Sequence, residues 1–269
     1  MAIVIDAGPA AAGARAADAG KGPFRINKIE IADLIDCISK GVRDFSRAPK
    51  YGMAFGAIYA VGGWFILWLT FSLGYYYLAY PFVMGFALFA PFAAAGTYEI
   101  SRRLESGEPL SWSVVFACVW NRAGKDVGWL ALVSMFTQII WLDIAMFVFL
   151  MFYGAHMPSL PQLFTNIFTT SYGLAFLIVG NGVGAIIALI VFSFTAVSPP
   201  LVVDRDVDFI TAMTTSVQAV LANPRTMIAW AAVIGKDLAV SFVTLFAALL
   251  VIFPVLGHTT WHLYRRLID

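Results

Sequence analysis

The stretch YGLAFLIVGNGVGAIIALIVFSFTAV, residues Tyr172–Val197, carries no charge from end to end. A helix needs about 20 mostly apolar residues to cross a hydrocarbon core roughly 30 Å thick, so this stretch alone predicts a membrane span. Met53–Phe71, Leu78–Tyr98 and Val127–Phe152 read the same way. The whole chain agrees with them. Of its 269 residues, 61% are hydrophobic and 12% charged, whereas a soluble domain has about 25% charged residues. A chain with half the usual charge cannot clothe a water-facing surface of this size, which argues against a soluble enzyme. Seventeen Lys and Arg against 16 Asp and Glu give a net charge of +1, so no nucleic-acid partner is implied. Two cysteines, Cys37 and Cys118, build no disulfide framework.

Outward from these four spans, the last apolar block, Met227 to about Leu263, is long for one span and short for two, and Lys236 and Asp237 interrupt it. Charge placement arbitrates, because cytoplasmic flanks collect Lys and Arg. Basic residues crowd the segment before the first span (Lys28, Lys40, Arg43, Arg47, Lys50). They recur after the second (Arg102, Arg103, Arg122, Lys125) and the fourth (Arg205, Arg225), and at Arg265 and Arg266. The connections Ser72–Tyr77 and Tyr153–Ser171 carry no charge. Both termini therefore read as cytoplasmic and those two connections as external. A final hairpin, Met227–Ser241 and Val243–Leu263, returns Arg265 and Arg266 to the inside. Six spans are favoured and five remain the alternative, since at 1.5 Å per residue the fifth barely crosses.

An internal match supports a final span ending inside: Pro91–Leu104 aligns without a gap on Pro254–Leu267, each with a proline about 11 residues before an Arg-Arg pair. Three amphipathic stripes precede the odd-numbered spans: Ile31, Leu34, Ile35, Ile38, Val42 and Phe45; Trp112, Val115, Phe116 and Val119; Phe209, Met213, Val217 and Val220. Asn27 followed by Glu30 resembles a capping box for the first. The expected architecture is an all-α polytopic transmembrane bundle with three interfacial helices on the cytoplasmic side. Residues 25–269 form one transmembrane domain of three units, about 27–104, 109–205 and 206–269. Residues 1–24, rich in Ala and Gly, are expected to be a disordered tail and not a signal peptide.

Polar groups inside a bilayer are costly and become functional candidates by default. Gln138 and Asp143 lie in the third span, Asn181 in the fourth, and Lys236 and Asp237 toward the outer end of the fifth. One reading pairs Asp143 with Lys236 as a structural bridge between helices. The other is a polar cavity open to the outside, as a transporter needs. His258 and His262, spaced i, i+4, share one helix face and could hold a metal or face a haem; interfacial histidines beside Trp261 and Tyr264 are the plainer reading, and no third ligand is obvious. His156 falls in an external connection. Gly52/Gly56 and Gly180/Gly184 are small-residue pairs that permit close helix approach. No phosphate loop, zinc-protease motif, nucleophile elbow or dinucleotide fingerprint occurs, so no catalytic residue, metal or cofactor is assigned.

Ser198-Pro199-Pro200-Leu201-Val202-Val203-Asp204-Arg205, Trp230-Ala231 and Phe253-Pro254, with the Gly257-His258-x-x-Trp261-His262-x-Tyr264-Arg265 stretch, resemble the domain of unknown function 2189 family of predicted bacterial integral membrane proteins. The resemblance covers about residues 25–269, with the Gly257–Arg265 stretch most specific. It implies a multi-pass inner-membrane protein. Some members are labelled putative cytochrome c oxidase subunits; a haem–copper core needs more histidine ligands than the three in this chain, so that label fits here only as a cofactor-free accessory subunit. The expected function is a non-catalytic accessory, scaffold or assembly subunit of a larger membrane complex, with the lipid bilayer and other inner-membrane subunits as partners. A small secondary transporter or channel is the alternative.

Overall fold

The computed structural model describes residues 24–118, 124–154, 158–205 and 207–269. Residues 1–23, which make up nearly all of the expected tail, lie outside the described residues, as do Val119, Arg122 and His156. The described chain is helical, with no strand beyond an isolated bridge between Ile26 and Ile268. Helix α1 spans Ile31–Arg47 and α2 Pro49–Ser72. The two are broken at Ala48, which Pro49 excludes from the helical region. The next apolar run is not one smooth helix. It passes through a 3₁₀ turn (Tyr76–Leu78), α3 (Ala79–Phe86), a second 3₁₀ turn (Ala87–Phe89), α4 (Ala90–Ala93) and α5 (Ala95–Ser106). Pro91, which lacks a backbone donor, sits at the broken part. Gly107 then ends α5 with φ +70, a left-handed C-cap that favours glycine.

Helix α6 spans Trp112–Ala117, α7 Gly124–Tyr153, α8 Leu160–Thr169 and α9 Ser171–Thr195. They are followed by α10 (Ser198–Asp204), α11 (Phe209–Ala222), α12 (Pro224–Val243) and α13 (Leu249–Leu267). Among the described residues, five stretches are long and apolar enough to cross a membrane: Pro49–Ser72, Tyr76–Ser106, Gly128–Tyr153, Ser171–Asp204 and Pro224–Val243. The expected sixth helix exists as α13 but is not among them. Its second half carries His258, Thr259, Thr260, His262, Arg265 and Arg266, and most of it is enclosed by other helices.

Helix α13 is the centre of the molecule and runs antiparallel to α1 and α2 in turn. Arg266 pairs with Asp33 at 2.5 Å. Gly41 abuts Thr259, Gly52 lies where a Cβ would be 2.9 Å from Pro254, and Gly56 where one would be 2.5 Å from the Leu249 carbonyl. Glycine at these places lets backbones approach within a side chain's thickness. Helix α5 runs parallel to α13, with Thr97 against Gly257 and Glu105 accepting from Trp261 Nε1 at 3.0 Å. The two arginine pairs that ended the aligned segments therefore share one end of the molecule. Asn223 joins this end, donating to the Asn27 carbonyl at 3.0 Å and accepting from Ile29 N at 2.9 Å.

Three expectations change. Asn27 does not cap α1: Glu30 and Asp33 form the capping box, while Asn27 N donates to the Leu267 carbonyl at 2.8 Å. The connection Tyr153–Ser171 contains α8, opened by a Ser159/Gln162 capping box. The turn between α12 and α13 is shallow. Leu245 and Phe246 take left-handed φ values of 48 and 65, and the buried Phe246 ring packs on Gly63. Gly63 precedes the end of α2 by about nine residues, or about 14 Å. The final hairpin thus stops well short of the uncharged end.

Candidate functional site

A buried polar group lies where α1, α5 and α13 meet. On α1 the residues Leu34, Cys37, Gly41 and Asp44 are buried, a 3-4-3 spacing that turns one narrow stripe toward α13. Asp44 occupies a position that an apolar residue would ordinarily fill. Its Oδ2 accepts from Ser101 Oγ at 2.8 Å and from His262 Nε2 at 2.7 Å. Ser101 Oγ also lies 2.8 Å from His258 Nδ1. Serine has one hydrogen, and it goes to the carboxylate. His258 must therefore donate from Nδ1, which leaves Nε2 as a bare acceptor. That atom is buried with no hydrogen-bond partner among the described residues.

Burial pushes the Asp44 carboxyl up, but hydrogen bonds from His262 and Ser101 and the neighbouring imidazoles outweigh it, so Asp44 stays below its ordinary value of 3.8. Around this group stand further bonds to the same helices. Tyr264 OH donates to Asp204 at 2.6 Å, and Arg102 and Arg103 both hold the buried Glu99, at 2.8 and 2.7 Å. The chemical role of such an arrangement is to fix three helices in register, since each member leaves a buried partner unpaired if removed.

The histidine pair therefore faces Asp44 and Ser101. Among the described residues, no three His, Cys, Asp or Glu side chains converge as metal ligands. Sequence reasoning missed Asp44 and Ser101. The signal available for Asp44 was its place in the stripe, seven residues after Cys37 and three after Gly41.

The expected intramembrane polar residues do not converge. Gln138 reaches the gap left by Gly85 on α3, and its Oε1 is buried without a hydrogen-bond partner among the described residues. Asn181 accepts from Tyr80 OH at 2.6 Å and donates to the Leu177 carbonyl. Lys236 pairs with its neighbour Asp237 at 2.9 Å, with 70% of its side chain exposed. Asp143 is exposed on α7, with no hydrogen bond or ion pair to any described residue.

The Asp143–Lys236 bridge does not form, and depth explains why. Gln138 stands level with Gly85 and, through Phe86, with Gly62. Asp143 is about 8 Å beyond that level toward the uncharged end, whereas Lys236 is about 10 Å before the shallow turn at Gly63, toward the charged end. Of the glycine pairs, Gly52 and Gly56 meet α13. A Cβ at Gly184 would come 2.9 Å from the Trp141 ring, whereas one at Gly180 would point into open space.

No curated protein and no solved structure matches the chain. The family match covers less than the resemblance drawn from the residues. It includes Ser101 and the Ser198–Asp204 stretch and leaves Asp44 and the Gly257–Arg265 stretch outside it. From the broken second span through α10, residues 78–204, the chain matches the family described as predicted integral membrane protein (DUF2189), as its sequence had suggested.

Proposed function

We propose that this membrane protein is a non-catalytic accessory, scaffold or assembly subunit of a larger complex in the bacterial inner membrane, such as a respiratory one. In this reading α1, α6 and α11 lie at the cytoplasmic interface, and α12 and α13 complete a six-helix bundle. The observation that carries the reading is the outward aim of Asp143 and Lys236, with Gln138 and Asn181 each taken up by the neighbouring α3. Asp143 and Lys236 sit on opposite sides of the mid-level and face away from the bundle, so they line no common path. The edge hairpin adds support. Of the most apolar 18 residues in each span, only 11% are buried in Gly128–Tyr153 and 6% in Ser171–Asp204, against 28% in Pro49–Ser72. A helix this bare and carrying an uncompensated carboxylate is suited to contact with another protein. Purification in a gentle detergent, with identification of co-purifying subunits and pigments, tests this. Stoichiometric co-purification of other membrane subunits is expected. Recovery of the chain alone, in cells that express it at its natural level, overturns the reading.

A further inference from the structure

We propose that the outward face of α7 is a docking seam for a transmembrane helix of another protein, one that carries a lysine or arginine opposite Asp143. This rests on the accessory reading above and adds the place and chemistry of the contact. Phe136, Ile140, Asp143, Phe147 and Leu150 succeed one another at spacings of four, three, four and three. At 3.6 residues per turn they fall within an arc of about 80°, in the heptad rhythm by which two helices interlock side chains. Acyl chains accept the apolar members of such a stripe, so the carboxylate within it is what calls for a partner. Here the four apolar members are 58%, 55%, 63% and 43% exposed, in chain order. The opposite face is already used: Leu130, Ser134 and Trp141 are buried, and Trp141 Nε1 donates to the Pro81 carbonyl at 2.9 Å.

Asp143 decides the occupant. Phe149 stacks on Tyr77 at 5.4 Å near the uncharged end, and Asp143 lies about 9 Å below that contact. Acyl chains offer a carboxylate there neither a hydrogen bond nor a counter-charge. The chain's other intramembrane charge of suitable sign, Lys236, is too far along the axis and is engaged by Asp237. A second copy on the same seam would set Asp143 against Asp143, two like charges. A foreign helix with a cation at this depth neutralises the carboxylate, while its apolar residues fill the spaces between Phe136, Ile140, Phe147 and Leu150.

The test uses the full chain in phosphatidylcholine bicelles and three labelled synthetic leucine-rich helices, alike except for one arginine, one leucine or one glutamate at the matching depth. Energy transfer should report association of the arginine helix at least tenfold tighter than of either control. Asp143→Asn should abolish that advantage, and Asp143→Glu should keep it. Asp143 has no partner among the described residues, so melting curves of both variants should match the unaltered protein. Equal association of the three helices, or an arginine preference that survives Asp143→Asn, overturns the seam. Self-association lost on Asp143→Asn would instead assign the face to a second copy, and also overturns it. Failure of the accessory reading is separable: it would appear as a chain that purifies alone yet still binds the arginine helix. Co-purifying subunits retained by Asp143→Leu would keep the accessory reading and remove the seam.

Discussion

Asp44 sits 6% exposed in the stripe by which α1 meets α13, and two hydrogen bonds hold it ionised. A carboxyl held below its unfolded value stabilises the fold above that value, and the contribution is lost as pH falls through the folded value. Asp44 should thus help hold the bundle at neutral pH and cease to do so somewhat below pH 3.8, its ordinary value. Asp44→Asn keeps the shape, removes the charge and should flatten this acid limb. Asp44→Ala should cost about 2–4 kcal/mol, because Ser101 and His262 lose a buried acceptor. Thermal melting in detergent between pH 3 and 7 checks both. Parallel curves for Asp44→Asn and the unaltered chain would mean that the carboxylate contributes nothing. The histidine pair was legible in the sequence through its i, i+4 spacing, but its partners were not. Ser101 and Asp44 come from helices far away in the chain, and no local pattern says which faces will meet.

At the level of elements, α1 shows what an amphipathic pattern does and does not reveal. The sequence shows a single apolar stripe. The structure divides it: Leu34 is 3% exposed against the bundle, while Ile35 is 60% exposed. Leu34→Asp should therefore place a charge in the core and lower the melting temperature steeply, whereas Ile35→Asp should leave the detergent-solubilised fold nearly unchanged. Equal losses would put both residues on one buried face. The uncharged spans were readable because a bilayer penalises every charge they lack. The break of the second span near Pro91, the α8 helix and the shallow α12–α13 turn were not. Each depends on where neighbouring side chains such as Phe86 and Phe246 find room, which hydropathy does not encode. The bridge expected between Asp143 and Lys236 failed for the same reason: counting residues from the span ends assumed a full-depth hairpin.

Across the whole molecule, charge is segregated. Arg102, Arg103, Arg205, Arg265 and Arg266 gather at the end where Ile26 meets Ile268, and the opposite connections Ser72–Tyr77 and Tyr153–Ser171 have none. If that end faces the cytoplasm, cysteine placed at Gly74 or Gly154 in a chain lacking Cys37 and Cys118 should react with an impermeant reagent from outside. Cysteine at Ser106 or Asp269 should react only after the membrane is opened. Labelling of Asp269→Cys in sealed cells would overturn the orientation.

Helix α13 touches α1, α2 and α5, yet it is synthesised after all of them. Until it emerges, the backbones at Gly41, Gly52 and Gly56 have no counterpart and Asp44 has no imidazole. The early helices must wait as a half-built socket, and it closes only when α13 arrives to be gripped. Assembly of this core thus waits on α13, so a translational stall before it would leave α1, α2 and α5 made and not yet locked together.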